Sequence, residues 1–323
     1  MSFARQAFRH ETDINLGLDR ISSNDITMVI SRLGCEIVEI TRHHPAFGDV
    51  PILWRNGVVK APENGWANHA TVLFPIVGRL KNMKSKTSDG IEVWFNRGHG
   101  FARESEFTLV MAEPCKYLDE DAFCLDYKLK AMDELISGFP WNFELNIKYV
   151  MQHTKIIQLI KIHNVGDCAM PFQVGWHPGF NAPFISGQKS VCHLDLPKGP
   201  GKIMLNNSEC FLTGQSKEIN LGQDFEFTEQ ELESTYMFDM SSVKPEDRVA
   251  SLFDHDRKFG VKVFFPDYPH LGIWSNAGAA FLCIEPWQGM DDHVIQEPFD
   301  KKFGIIMLRP GQVDTRKAWI QVT

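Results

Sequence analysis

Apolar and polar residues alternate with period two along much of this 323-residue chain. The clearest run is Phe143-Glu144-Leu145-Asn146-Ile147-Lys148-Tyr149-Val150, which alternates strictly as far as Tyr149. That pattern predicts a strand buried on one face. Gln152-His153-Thr154 predicts a turn into a second strand over residues 156–165, and Asn164-Val165-Gly166-Asp167 predicts the turn that ends it. Further strands are expected over residues 26–30, 36–41, 107–111, 123–129, 261–265, 271–275, 281–285, 304–308 and 318–322. Helical periodicity is scarce. Residues 228–232 form the best candidate, with Thr228 as N-cap, Glu231 as its capping-box partner, and Phe227 and Leu232 placed as a hydrophobic staple. Short strands joined by Gly, Pro and Asn turns predict an all-β sandwich or barrel with few short helices. One domain over residues 1–323 is the economical arrangement, since no linker, repeat or low-complexity tract interrupts it. Residues 198–224 are the least patterned and are expected to form a long loop.

Composition narrows the class. Hydrophobic residues make up 43% and charged residues 23%, enough apolar material for a large core. The net charge of −8 argues against nucleic acid and anionic membrane surfaces as partners, although a local Arg/Lys cluster could still hold a small anion. Seven widely spaced cysteines with no Cys-x-x-Cys suggest reduced thiols. The first ten residues lack an apolar core of signal-peptide length, and no run approaches the ~18 apolar residues of a membrane helix. A cytoplasmic protein is the expectation.

Four stretches could carry chemistry. His177 sits in Phe172-Gln173-Val174-Gly175-Trp176-His177-Pro178-Gly179-Phe180-Asn181-Ala182-Pro183-Phe184. A histidine there is either an acid–base group, with an ordinary pKa near neutrality, or a buried residue satisfied by a carbonyl. Arg79 follows the apolar run 71–77 and Gly78, where its fixed N–H donors could meet an oxygen-rich ligand. The alternative is a surface ion pair. His99 lies between Gly98 and Gly100, flanked by Arg97 and Arg103. Glycines let backbone approach a ligand closely, but a solvated turn is the alternative, opposed by Phe101, which should anchor the loop in apolar surroundings. Glu285 ends the apolar run 281–284. A carboxylate entering a hydrophobic wall is either paired, for example with Arg79 or Arg103, or has the raised pKa of a general base. Trp287, two residues on, could stack on a sugar ring.

Other chemistries find little support. There is no dinucleotide or phosphate-loop glycine motif and no serine elbow. Asp291-Asp292-His293 cannot all face one site on an extended chain. His153, His163 and His177 have no metal-ligand spacing, so neither a metal nor another cofactor is expected.

These motifs together resemble the aldose 1-epimerase (galactose mutarotase) family, most of all its bacterial LacX-like branch. The matching pieces are Gly34-Cys35-Glu36, Leu53-Trp54, Leu73-Phe74-Pro75-Ile76-Val77-Gly78-Arg79-Leu80, His99-Gly100-Phe101-Ala102-Arg103, His177-Pro178-Gly179-Phe180-Asn181 and Ile284-Glu285-Pro286-Trp287-Gln288-Gly289. They fall in the family's order from about residue 25 to about residue 320. The resemblance implies a single-domain β-supersandwich. It also implies a cofactor-independent isomerase that interconverts the α and β anomers of a hexose. By the same analogy Glu285 is the general base and His177 the general acid. His99 and Arg79 match substrate-contacting positions, with Arg103, Asn181 and Trp287 beside them. Trp176 departs from the small residue that the branch leads one to expect before His177, which bears on sugar size.

Two other functions fit the same residues. Arg79, Lys81, Arg97 and Arg103 could clamp the phosphate of a hexose 6-phosphate. A non-catalytic sugar-binding or sensing protein could share the fold, although it would need no acid–base pair. The expected partner is a small sugar or sugar phosphate, and the expected assembly a monomer or homodimer.

Overall fold

The computed structural model describes residues 7–57, 66–130, 138–185 and 192–323. Residues 1–6 of the N-terminal stretch lie outside them. The alternating run becomes the strand Phe143–Gln152, and residues 153–154 turn the chain into Lys155–Asn164. Phe143, Leu145, Ile147 and Tyr149 are buried, while Glu144, Asn146 and Lys148 point outward and are half-buried.

These two strands occupy the middle of an eight-stranded antiparallel sheet. Its order is His193–Asp195, Val249–Phe253, Gly260–Phe264, Val313–Val322, Lys155–Asn164, Phe143–Gln152, Glu120–Lys130, Thr108–Tyr117. A seven-stranded antiparallel sheet runs Leu212–Leu221, Gly199–Asn206, Tyr236–Asp239, His270–Trp274, Phe281–Gln288, Val174–Asn181, Ala70–Leu73. A five-stranded sheet from Arg9 to Pro51 completes the main layers.

One buried cluster joins the sheets. Leu125, Leu145, Ile147 and Ile320 come from the eight-stranded sheet, Val72, Trp176, Leu282 and Ile284 from the seven-stranded sheet, and Ile26, Met28 and Ile37 from the third. Burying each such side chain is worth roughly 1.5–3 kcal/mol. This core therefore fixes strand register: a slip of one residue would turn His177 and Glu285 into it. The fold is the all-β sandwich that the alternation predicts.

The short helix forms at Glu229–Glu233. Thr228 Oγ1 accepts the Glu231 N–H at 3.2 Å, and Glu231 Oε2 accepts the Thr228 N–H at 3.3 Å, which is the expected capping box. Two expectations fail. Residues 198–224 are mostly not a loop: Gly199–Asn206 and Leu212–Leu221 pair as an antiparallel hairpin at the sheet edge. Both strands are largely exposed, so no buried face imposes alternation. The thiols are also not all reduced, because Cys115 and Cys124 form a disulfide. A hairpin turn at Leu118 and Asp119, both with positive φ, brings their strands side by side. Among the described residues no helix is long and apolar enough to cross a membrane.

Candidate active site

The site grows from three neighbouring strands of the seven-stranded sheet. The register pairs Gly175 with Trp287 and Gly179 with Cys283, which sets His177 opposite Glu285. Trp176 and Ile284 belong to the core cluster, so the period of two turns His177 and Glu285 to the other face. Gly272 faces Glu285 on the third strand. A Cβ there would lie 2.5 Å from the Trp287 indole, so only glycine lets that ring cross the sheet.

Two loops wall the site. His99, at φ +68, donates its backbone N–H to Gly78 O at 2.7 Å, and its Nδ1 accepts the Gly78 N–H at 3.1 Å. This mutual clasp fixes the imidazole against the loop that carries Arg79. Phe101 anchors the His99 loop as expected, packing 6.0 Å from Phe74 and 5.9 Å from Phe143, centroid to centroid.

The result is a cavity of about 240 Å³. His177, Glu285, Arg79, His99, Arg103 and Trp287 all line it. Asn181 does not: its Nδ2 donates to Pro51 O at 3.0 Å at the end of the strand, a structural contact. Trp176 also lies outside, with Nε1 donating to Ala70 O at 3.2 Å in the core, so it does not bear on ligand size. Lys81 and Arg97 are committed elsewhere. Lys81 Nζ donates to Val294 O at 2.6 Å, and Arg97 pairs with Glu104 at 2.6 Å. Trp66, Cys210, Thr235 and Trp274 complete the lining and went unrecognised in the sequence, as did Asp291, weighed there only for cation binding and set aside. Trp274 alone left a signal, as the aromatic in the strand beside Glu285.

His177 is caged by rings. Trp66 stacks on it at 4.9 Å and 26°, His99 meets it edge-on at 5.3 Å, and Trp274 at 5.8 Å. His177 Nε2 and Glu285 Oε2 stand 3.0 Å apart, without the alignment of a hydrogen bond. Glu285 makes no ion pair with Arg79 or Arg103 among the described residues. Among the described residues no hydrogen-bond partner is seen for His177 Nδ1, Glu285 Oε2 or Trp287 Nε1 in the cavity lining, nor for Thr71 Oγ1 on the strand beside His177. Buried polar groups are almost always satisfied, so such a cluster of orphans awaits a polar ligand.

Burial also sets the charges. It pushes the Glu285 carboxyl well above the usual range. It pulls His177 down to about 3, helped by the Arg103 guanidinium, and takes His99 well below its ordinary value. Arg103 itself falls to about 10 because it is desolvated. Burial thus favours the uncharged form of both groups, a protonated carboxyl beside a neutral imidazole. The arrangement can exchange protons with a ligand at two points and offer guanidinium donors to its oxygens. His177, Cys283 and Glu285 also offer ligand-type atoms within 4.8 Å of one another, the one such set among the described residues. A cation there would occupy both groups of the pair.

Comparisons with known proteins bear on the family and the fold. The chain is 27% identical over 243 residues to the chromosomal LacX protein of Lactococcus lactis subsp. lactis, covering 70% of this chain and 75% of that one. A galactose mutarotase related enzyme from Lactobacillus acidophilus matches at TM-score 0.80 and 27% identity, over 94% of this chain and 96% of its own. A galactose mutarotase-like protein from Lactobacillus casei shares the fold at TM-score 0.79 and 20% identity, over 95% and 100%. The aldose 1-epimerase family profile matches residues 20–321, and the chain belongs to that family.

Proposed function

We propose that this protein is a mutarotase that interconverts the α and β anomers of a free hexose, with Glu285 as general base and His177 as general acid. The observation that carries the reading is the Glu285–His177 contact of 3.0 Å inside a cavity whose other walls supply Arg79, Arg103 and His99. A sugar entering the site parts the pair. The Glu285 carboxylate takes the proton of the anomeric hydroxyl, and His177 gives its proton to the ring oxygen. The C1–O5 bond breaks as the C1 carbonyl forms. Rotation about C1–C2 and closure on the other face reverse both transfers. One proton leaves the sugar and one enters, so the single proton held by the uncharged pair suffices, once it sits on His177. The Arg103 guanidinium favours a charged Glu285 and opposes a charged His177, so the charge that favours a proton on His177 is the Glu285 carboxylate 3.0 Å away. Arg79, Arg103 and His99 hold sugar oxygens, and Trp287 covers a ring face.

A free sugar suits the site better than a sugar phosphate. Of the four basic residues that could clamp a phosphate, Lys81 and Arg97 are tied up outside the cavity. The two that remain share it with the carboxyl groups of Glu285 and Asp291.

Exchange NMR on equilibrated glucose, galactose and their 6-phosphates tests the reading. The expected result is faster anomer exchange of a free hexose that disappears in Glu285→Gln while sugar still binds. Near wild-type exchange in that variant defeats the assignment. Preference for a 6-phosphate would move it to a sugar phosphate. Ligand shifts without exchange on any sugar would mark a binding protein.

A further inference from the structure

Asp291 and Asp292 are adjacent carboxyl groups with different work. Asp292 is spent on the scaffold: its Oδ2 accepts the Lys81 N–H and Gln296 Nε2, each at 2.8 Å, and its Oδ1 lies 3.6 Å from the buried Lys302 Nζ. Asp291 lines the cavity and is 5% exposed. Its Oδ1 accepts the Arg79 backbone N–H at 2.8 Å. Among the described residues no hydrogen bond to its Oδ2 is seen, although the residue lines the cavity.

The loop opposite is shaped to admit this oxygen. Gly78 has φ +69, and a Cβ there would lie 2.3 Å from Asp291 Oδ2. Any side chain at position 78 would push the carboxyl out of place. Arg79, Lys302 and Asp292 face Asp291, and Glu285 and Cys210 stand near enough to sense it. A carboxylate with half its acceptor capacity unused, in a cavity that already holds Glu285, welcomes O–H donors and repels anions.

We propose that Asp291 is a specificity-determining residue whose Oδ2 accepts one ring hydroxyl of an uncharged aldose. It thereby selects against analogues that lack this hydroxyl or carry an anionic group in its place. The proposal rests on the mutarotase reading for the identity of the ligand. A hydrogen bond from a hydroxyl to a charged acceptor discriminates by roughly 10–100-fold.

The test reads binding alone, by calorimetry or NMR titration in the Glu285→Gln background, with the parent hexose, its monodeoxy analogues and its 6-phosphate. One monodeoxy analogue should bind roughly 10–100-fold more weakly than the parent. Adding Asp291→Asn replaces the acceptor with a donor of the same shape and leaves Oδ1 for Arg79. The parent should then bind as weakly as that analogue, the two should no longer be distinguished, and the 6-phosphate should gain relative to the parent. Should Asp291→Asn not fold, Asp291→Ser makes the same comparison. Unchanged discrimination in the double variant overturns the inference while leaving the acid–base reading intact. Absence of sugar binding in both proteins overturns both.

Discussion

The two large sheets each turn one face to the core and one face away, and the outward faces differ in a way that locates function. The outer face of the eight-stranded sheet holds a groove of about 610 Å³, larger than the 240 Å³ cavity on the other sheet. Its charges balance one another. Lys128 pairs with Glu144 at 2.9 Å, Arg316 pairs with Asp314 at 2.7 Å, and Asp126, whose Oδ1 lacks a hydrogen bond, is faced by Lys148 and Lys161. The smaller cavity buries the carboxyls of Glu285 and Asp291 and the imidazole of His177, beside half-buried His99 and Arg103 and exposed Arg79, with few bonds among them. Size therefore does not mark the site, whereas desolvated polarity left unpaired does.

Five substitutions sharpen that contrast. On the site face, His177→Gln should slow anomer exchange by roughly 10²–10⁴-fold, the usual worth of a placed acid. The rate itself should fall as pH rises through the elevated Glu285 pKa, because the pair then loses the one proton that His177 must donate, and that limb should vanish in Glu285→Gln. A pH–rate profile by exchange NMR reads both.

Next comes Asp291→Asn, through stability. Burial raises the Asp291 carboxyl from 3.8 to about 6. A raised folded pKa gives stability that is present below about pH 4 and lost as pH rises through about 6. At roughly 1.4 kcal/mol per pKa unit, ionised Asp291 costs about 3 kcal/mol at most. Urea titrations should find the variant more stable than wild type at pH 7–8, with the gain gone at pH 4. A site residue that weakens the fold is what a functional role leaves behind.

Arg103→Met should weaken sugar binding by about 1.5–3 kcal/mol, the worth of charged hydrogen bonds, as measured by calorimetry. Smallest is Lys128→Gln on the other face. A half-buried surface pair of this kind is worth about 0–1 kcal/mol, and anomer exchange should not change. A rate effect there as large as that of His177→Gln would erase the contrast between the faces.

Much of this was legible in the sequence wherever burial had left a period. Phe143–Val150 shows its strand because alternate residues meet the core. His177 and Glu285 show because each breaks an apolar run with a titratable group. The Gly199–Leu221 hairpin was hidden because solvent bathes both its faces and erases alternation. Asp291 was set aside because Asp291, Asp292 and His293 cannot all face one site on an extended chain, and only tertiary contact separates the scaffold carboxyl from the one in the cavity. Asn181 misled for the opposite reason: it sits in the right motif, but the strand's end turns its amide to Pro51. The Cys115–Cys124 bond depends on hairpin register, which spacing alone does not reveal.

The most direct test of the central claim, that Glu285 and His177 act as one acid–base pair, is a double-mutant cycle on the anomer exchange rate. Wild type, Glu285→Gln, His177→Gln and the double variant would be compared on the best hexose. Groups that act as a unit are not additive. The account predicts that each single variant loses roughly 10²–10⁴-fold and that the double variant loses no more than the worse of the two. Losses that multiply, or a single variant that keeps the wild-type rate, would contradict it.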